Sequence, residues 1–123
     1  MAKRLRSSFG CPSEFTLEVL GGKWKTVILC YLKQQPLRYK DLRLLIPNLS
    51  DKMLTERLAD LSARGLVTKK SLGGSANQQF YVLTPLGKTL SAPLGELYKW
   101  GEEHAAAFGA KVSNPLARLE RKS

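Results

Sequence analysis

Apolar residues recur at intervals of three and four through most of this chain, and the pattern changes in only one region. The first helical stretch opens with Cys11-Pro12-Ser13-Glu14. A proline in the first turn and an acid beside the positive end of the helix dipole read as a helix entrance. Gly21-Gly22 punctuates that helix after about Leu20. Trp24, Val27, Ile28, Tyr31 and Leu32 then mark a second helix, which Leu29 and Cys30 make apolar almost all round, so it belongs in the centre. Past Pro36, Leu37-Arg38-Tyr39 reads as a short extended piece. It leads into a third helix, Lys40 to Ile46, with Leu42, Leu45 and Ile46 on one face and Pro47 as its stop. Ser50 is a good N-cap for a fourth helix, which carries Met53, Leu54, Leu58 and Leu61 down one side and ends at Gly65.

The period then shifts. Leu66 to Leu72 and Gln79 to Leu83 are short and rich in Val, Phe, Tyr and Thr, and the turn chemistry of Gly73-Gly74-Ser75-Ala76-Asn77-Gln78 separates them, which predicts a hairpin. Thr84-Pro85 opens a last helical region with Leu86, Leu90, Leu94, Leu97 and Trp100 spaced by three or four, and Pro93 is expected to kink it. Four helices, a hairpin and a final helix, with only a few residues joining the third and fourth, spell a helix-turn-helix followed by a wing. The expected class is α+β, mostly α: a winged helix-turn-helix with a two-stranded wing and flanking dimerisation helices. One domain over residues 11–107 is expected, with a basic arm over 1–10 and a basic tail over 108–123.

Charge narrows the partner. The 123 residues carry 20 Lys plus Arg against 10 Asp plus Glu, a formal net charge of +10, which draws the molecule toward polyanions, nucleic acid first. The excess is spread along the chain: residues 36–84 hold eight bases against four acids, and both termini are basic. Met1 to Arg6 is followed by Ser7, Ser8 and Phe9 rather than by an apolar stretch. No run approaches the roughly 20 apolar residues a bilayer requires. The expectation is a soluble, cytoplasmic protein without membrane contact. Two cysteines far apart, Cys11 and Cys30, do not make a disulfide framework. His104 has no ligands at metal spacing around it, so neither a metal nor a cofactor is expected. Clustered general acids, bases or nucleophiles and a Gly-rich phosphate loop are all missing, which argues against an enzyme.

A wider set of spaced motifs joins these elements: Cys11-Pro12, Gly21-Gly22-Lys23-Trp24, Leu42-Arg43 with Ile46-Pro47, Ser50 with Lys52-Met53-Leu54-Thr55, Arg57-Leu58, Gly65-Leu66-Val67, Leu83-Thr84, and Trp100-Gly101-Glu102. Together they resemble the HxlR family of winged helix-turn-helix regulators, from Cys11 to about His104. The resemblance implies dimeric bacterial regulators of two-fold DNA sites, with the first and last helices forming much of the dimer contact. It also implies, for some members, that the cysteine before proline, here Cys11, senses oxidants or reactive electrophiles. The wing loop departs from the family pattern, because many relatives carry prolines and a basic residue where this chain has Gly73 to Gln78.

Packing the Met53, Leu54, Leu58, Leu61 stripe inward turns Lys52, Thr55, Glu56 and Ala59 outward, because successive helical residues differ by about 100°. At the start of a recognition helix Lys donates to guanine, Thr bonds a base or touches a thymine methyl, and Glu accepts from cytosine. Ser50 and Arg57 sit at the edge of this face, with roles in phosphate contact or structure. Arg38, Lys40, Arg43, Lys69 and Lys70 are candidates for backbone phosphates, with plain solvated charge as the alternative. Two half-sites on double-stranded DNA require a homodimer. Phe9, Phe15, Leu17, Leu86, Leu90, Leu94, Leu97 and Trp100 could supply its seam, or equally pack the core. Cys11 lies at a helix entrance near Arg4 and Arg6, which favours thiolate, while Glu14 opposes it. Cys30, inside an apolar run, reads as a buried small side chain, with pairing between Cys11 and Cys30 of two copies left open. The rival function is a winged-helix module that binds another protein without reading DNA sequence.

Overall fold

In the computed structural model, residues 5–72 and 78–113 are described. The elements are α1 (Pro12–Leu20), α2 (Lys25–Gln34), α3 (Tyr39–Leu45), α4 (Asp51–Ala63), β1 (Val67–Ser71), β2 (Gln79–Leu83), α5 (Pro85–Lys88), α6 (Ser91–His104) and a 3-10 turn over Ala105–Phe108. The turn residues Gly73 to Asn77 and the basic residues Lys3, Arg4, Arg118, Arg121 and Lys122 lie outside the described residues. Among the described residues no helix is long and apolar enough to cross a membrane.

The all-round apolar α2 is the axis of the core: Ile28, Leu29 and Tyr31 are fully covered. Around it close Leu42 and Leu45 of α3, Leu54, Leu58 and Leu61 of α4, and Leu94 of α6. α4 ends in a Schellman arrangement that the sequence signals through Gly65. This glycine adopts φ 76°, its N–H donates to the Ser62 carbonyl at 3.0 Å, and the Leu66 N–H donates to the Leu61 carbonyl at 3.0 Å. The left-handed turn costs glycine no Cβ clash, and it drives Leu66 into the core as the chain enters β1.

β1 and β2 pair antiparallel from Val67 opposite Leu83 to Ser71 opposite Gln79. The extended piece before α3 adds an isolated antiparallel bridge, in which Leu37 and Tyr81 exchange backbone bonds at 3.2 and 2.7 Å. The wing is thereby stitched to the helix-turn-helix at the middle of β2. The Thr84 hydroxyl caps α5 by accepting from the Gly87 N–H at 3.0 Å. A Cβ on Gly87 would fall 2.1 Å from the Leu66 carbonyl oxygen, so only glycine lets α5 lie this close to the strand entrance.

One expectation needs correction. Pro93 does not kink a continuous helix. The chain breaks earlier, at Thr89–Leu90, and Pro93 sits in the first turn of α6. There its missing N–H would have had no partner within the helix, and its ring meets no carbonyl of a preceding turn.

Candidate nucleic-acid interface

α3, the turn through Pro47 and Leu49, and α4 form the helix-turn-helix, and a set of polar side chains fixes the two helices relative to each other. Ser50 caps α4 by accepting from the Met53 N–H at 3.1 Å. Arg43, on the last turn of α3, reaches across: its Nε lies 2.8 Å from Asp51 Oδ1, and its NH1 donates to the Leu49 carbonyl. The Tyr39 hydroxyl donates to Asp51 Oδ1 at 2.8 Å and lies 3.3 Å from the Thr55 hydroxyl. Arg38 closes a capping box with Asp41, bonding both carboxylate oxygens at 3.0 Å. Arg57 Nε donates to the Lys23 carbonyl at 2.9 Å, which ties α4 to the loop before α2.

The expected DNA contacts therefore divide in two. Arg38, Arg43 and Arg57 are half-buried and bonded within the protomer, and Ser50 is a cap. Lys40, Lys52, Thr55, Glu56, Lys69 and Lys70 are exposed, and so is Ala59. Lys52, Thr55, Glu56 and Ala59 share the outer side of α4, opposite the buried Leu54, Leu58 and Leu61. Lys69 lies over the Tyr81 ring, 5.6 Å from its centroid, on the first wing strand.

Behind α4 is a group of charges that the sequence reading did not single out. Lys25, Asp60 and Arg64 form a buried ion cluster: Lys25 Nζ pairs with Asp60 Oδ2, and Arg64 Nε lies 3.1 Å from the same oxygen. Burial alone would raise the Asp60 carboxyl, but hydrogen bonds from Lys25 and Arg64 outweigh it and hold the group below its ordinary value. The Asp60–Arg64 half was visible as an i,i+4 pair. Lys25, 35 positions away in a stretch that otherwise reads as core, carried no local signal.

Phe15, Leu17, Leu86, Leu97 and Trp100 are exposed, while Phe9 packs edge-on against Phe15 at 5.3 Å. Leu94, taken as a seam candidate, is only 1% exposed and belongs to this protomer's own core, and Leu90 is half-buried against that core. α6 packs against α2, and Leu94 is its one buried residue. Phe108, which the sequence reading did not single out, is also exposed and lies 6.0 Å from the Trp100 ring. Cys11 is the exposed N-cap residue of α1. The Arg6 cation expected beside it is bonded instead to Glu14 at 2.8 Å and Glu18 at 3.0 Å. Cys30 is buried, and that burial pushes its thiol up, with Lys33 opposing.

Residues 19–108 match the model of the HxlR-like helix-turn-helix family. The chain belongs to this family. The HxlR-like chain is 41% identical over 115 residues to the HTH-type transcriptional regulator YkvN of Bacillus subtilis, covering 94% of this chain and 98% of that protein. Its fold is similar to that of the redox regulator HypR in its reduced form, with TM-score 0.74 and 31% identity over 82% of this chain and all of that one. It is also similar to the quinone-bound YodB of B. subtilis, with TM-score 0.63 and 32% identity over 76% of this chain and 99% of that one. The HxlR-like chain is thus a winged-helix protein from a family of DNA-binding transcription regulators.

Proposed function

We propose that this regulator reads a two-fold DNA operator as a homodimer, with α4 as the helix that enters the major groove and Cys11 as its oxidant- or electrophile-reactive group. The observation that carries the DNA reading is the division of α4 into a buried apolar side and an exposed side bearing Lys52, Thr55 and Glu56. Those side chains offer the donors and acceptors that base edges require. Lys40, Lys69 and Lys70 supply charge for phosphates on either side, without sequence preference. The apolar residues exposed on α1, α5 and α6 are the surface a second copy would cover.

The thiol reading rests on the exposure of Cys11 at the start of α1 and on similarity to proteins described as redox-regulating and quinone-bound. The Cys11 thiolate adds to an electrophilic carbon. Alternatively a peroxide oxidises it to a sulfenic acid, which a second thiol converts to a disulfide with release of water.

The test is operator binding in the presence of excess nonspecific duplex. Replacing Lys52 and Thr55 with alanine is expected to abolish discrimination for the operator. Unchanged promoter occupancy would refute the reading, and binding that never survives competitor DNA would favour a protein-interaction module. For the thiol, Cys11→Ser is expected to bind DNA and ignore oxidant. A retained response would remove Cys11 from the mechanism.

A further inference from the structure

A cavity lies away from the outer side of α4. It has a volume of about 620 Å³, is half open to solvent, and is lined by α2, the turn between α3 and α4, α6 and the segment Lys111 to Ser113. That size lies within the range of about 300–1,000 Å³ typical of small-molecule sites. Its walls are mainly apolar, with the aromatic residues Trp24 and Tyr98 among them, and Glu102 and Lys111 also line it.

α6 faces this space with Leu94, Leu97, Tyr98 and Gly101, the i, i+3, i+4 and i+7 positions of one helix face. The last position of that face is empty of side chain, and a Cβ placed on Gly101 would meet nothing within 4 Å. Gly101 makes no backbone turn that only glycine can make, because it lies inside the helix. Glycine there costs about 1 kcal/mol of helix propensity relative to alanine, and the position instead leaves the cavity open where a leucine would close it.

We propose that this cavity binds a flat, uncharged aromatic molecule of two or three fused or linked rings, and that its occupancy is coupled to operator binding. Aromatic walls favour a planar apolar guest, because stacked and edge-on ring contacts add to area burial. The occupant is a small molecule and not a second copy: of the exposed apolar side chains a partner copy would cover, Leu97 borders the cavity, but Phe15, Leu17, Leu86 and Trp100 do not line it. Coupling follows from the wall shared with the helix-turn-helix: Leu45, Ile46, Pro47 and Asn48 form the turn that sets the angle between α3 and α4. A guest that binds one arrangement of that turn better than another changes DNA affinity, and by linkage DNA changes the affinity for the guest. This second half rests on the DNA-binding reading above, while the first half does not.

The probe is N-phenyl-1-naphthylamine, titrated against the full chain and followed by its fluorescence. Saturable binding is expected for the wild type. Gly101→Ala should change it little, and Gly101→Phe should weaken it by at least about tenfold by occupying the same space. Thermal melting of both variants is expected at or above the wild-type temperature, which separates filling from misfolding. Failure of the wild type to bind, or equal binding by well-folded Gly101→Phe, would overturn the site. Saturating probe is also expected to change wild-type operator affinity by about threefold or more, and not that of Gly101→Phe. Probe binding with unchanged operator affinity would overturn the coupling alone, and a chain that binds the probe but no DNA would overturn the function while leaving the site.

Discussion

Two regions of this molecule, the helix-turn-helix and the α1/α6 region, differ in how their charges are placed. Around the helix-turn-helix, Arg43, Tyr39, Asp51, Arg57 and the buried Lys25–Asp60–Arg64 cluster link one element to the next. At α1 and α6 the ion pairs of Arg6 lie in solvent, and large apolar side chains stand exposed. The helix-turn-helix frame is thus held by bonds within one chain, whereas α1 and α6 leave large apolar side chains uncovered. An arginine whose donors are already used inside the protomer positions a helix; an exposed lysine keeps its charge for a partner.

The largest effect should come from breaking the buried cluster. Asp60→Ala leaves Lys25 buried without its carboxylate, and urea unfolding should show a loss of about 3–5 kcal/mol. Arg6→Ala in the other region should leave the midpoint nearly unmoved. Equal losses would erase the contrast.

Introducing charge on the exposed seam comes next. Leu97→Asp with Trp100→Asp is expected to leave the fold of the protomer intact by circular dichroism and to shift the sedimenting species from dimer to monomer, with operator affinity falling in step.

Acid should separate the two regions again. The Asp60 carboxyl is held below its ordinary value in the fold, so the unfolded chain takes up this proton first as pH falls. The stability it contributes is complete above the unfolded value, about 3.9, and is lost as pH drops through the lower folded value. Unfolding midpoints measured between pH 7 and 2 should fall in that window, and Asp60→Asn should flatten this part of the decline.

The smallest effect is expected from the phosphate candidates. Lys69→Ala with Lys70→Ala should weaken binding to operator and to random duplex alike, reducing the slope of log affinity against log salt by about one for each phosphate that a removed lysine had neutralised. Weakening confined to the operator would place these lysines in base reading instead.

Helix order, the hairpin, the cap at Ser50 and the end at Gly65 were all legible in the chain, because each depends on residues within one or two turns of one another. So was the outer side of α4, since helical periodicity separates its faces once the apolar stripe is known. What the chain could not disclose was the use of each cation. Arg43 and Arg57 look alike as solvated charges until Asp51 and the Lys23 carbonyl are brought to them, and Lys25 looks misplaced in an apolar run until α4 delivers Asp60. Leu94 and Leu97 belong to one periodic stripe, yet the packing of α6 on α2 buries the first and leaves the second exposed. Local pattern determines which elements form and which faces they have. Only the tertiary fold decides which distant groups meet, because those meetings depend on how helices are turned against each other, and no spacing along one segment records that.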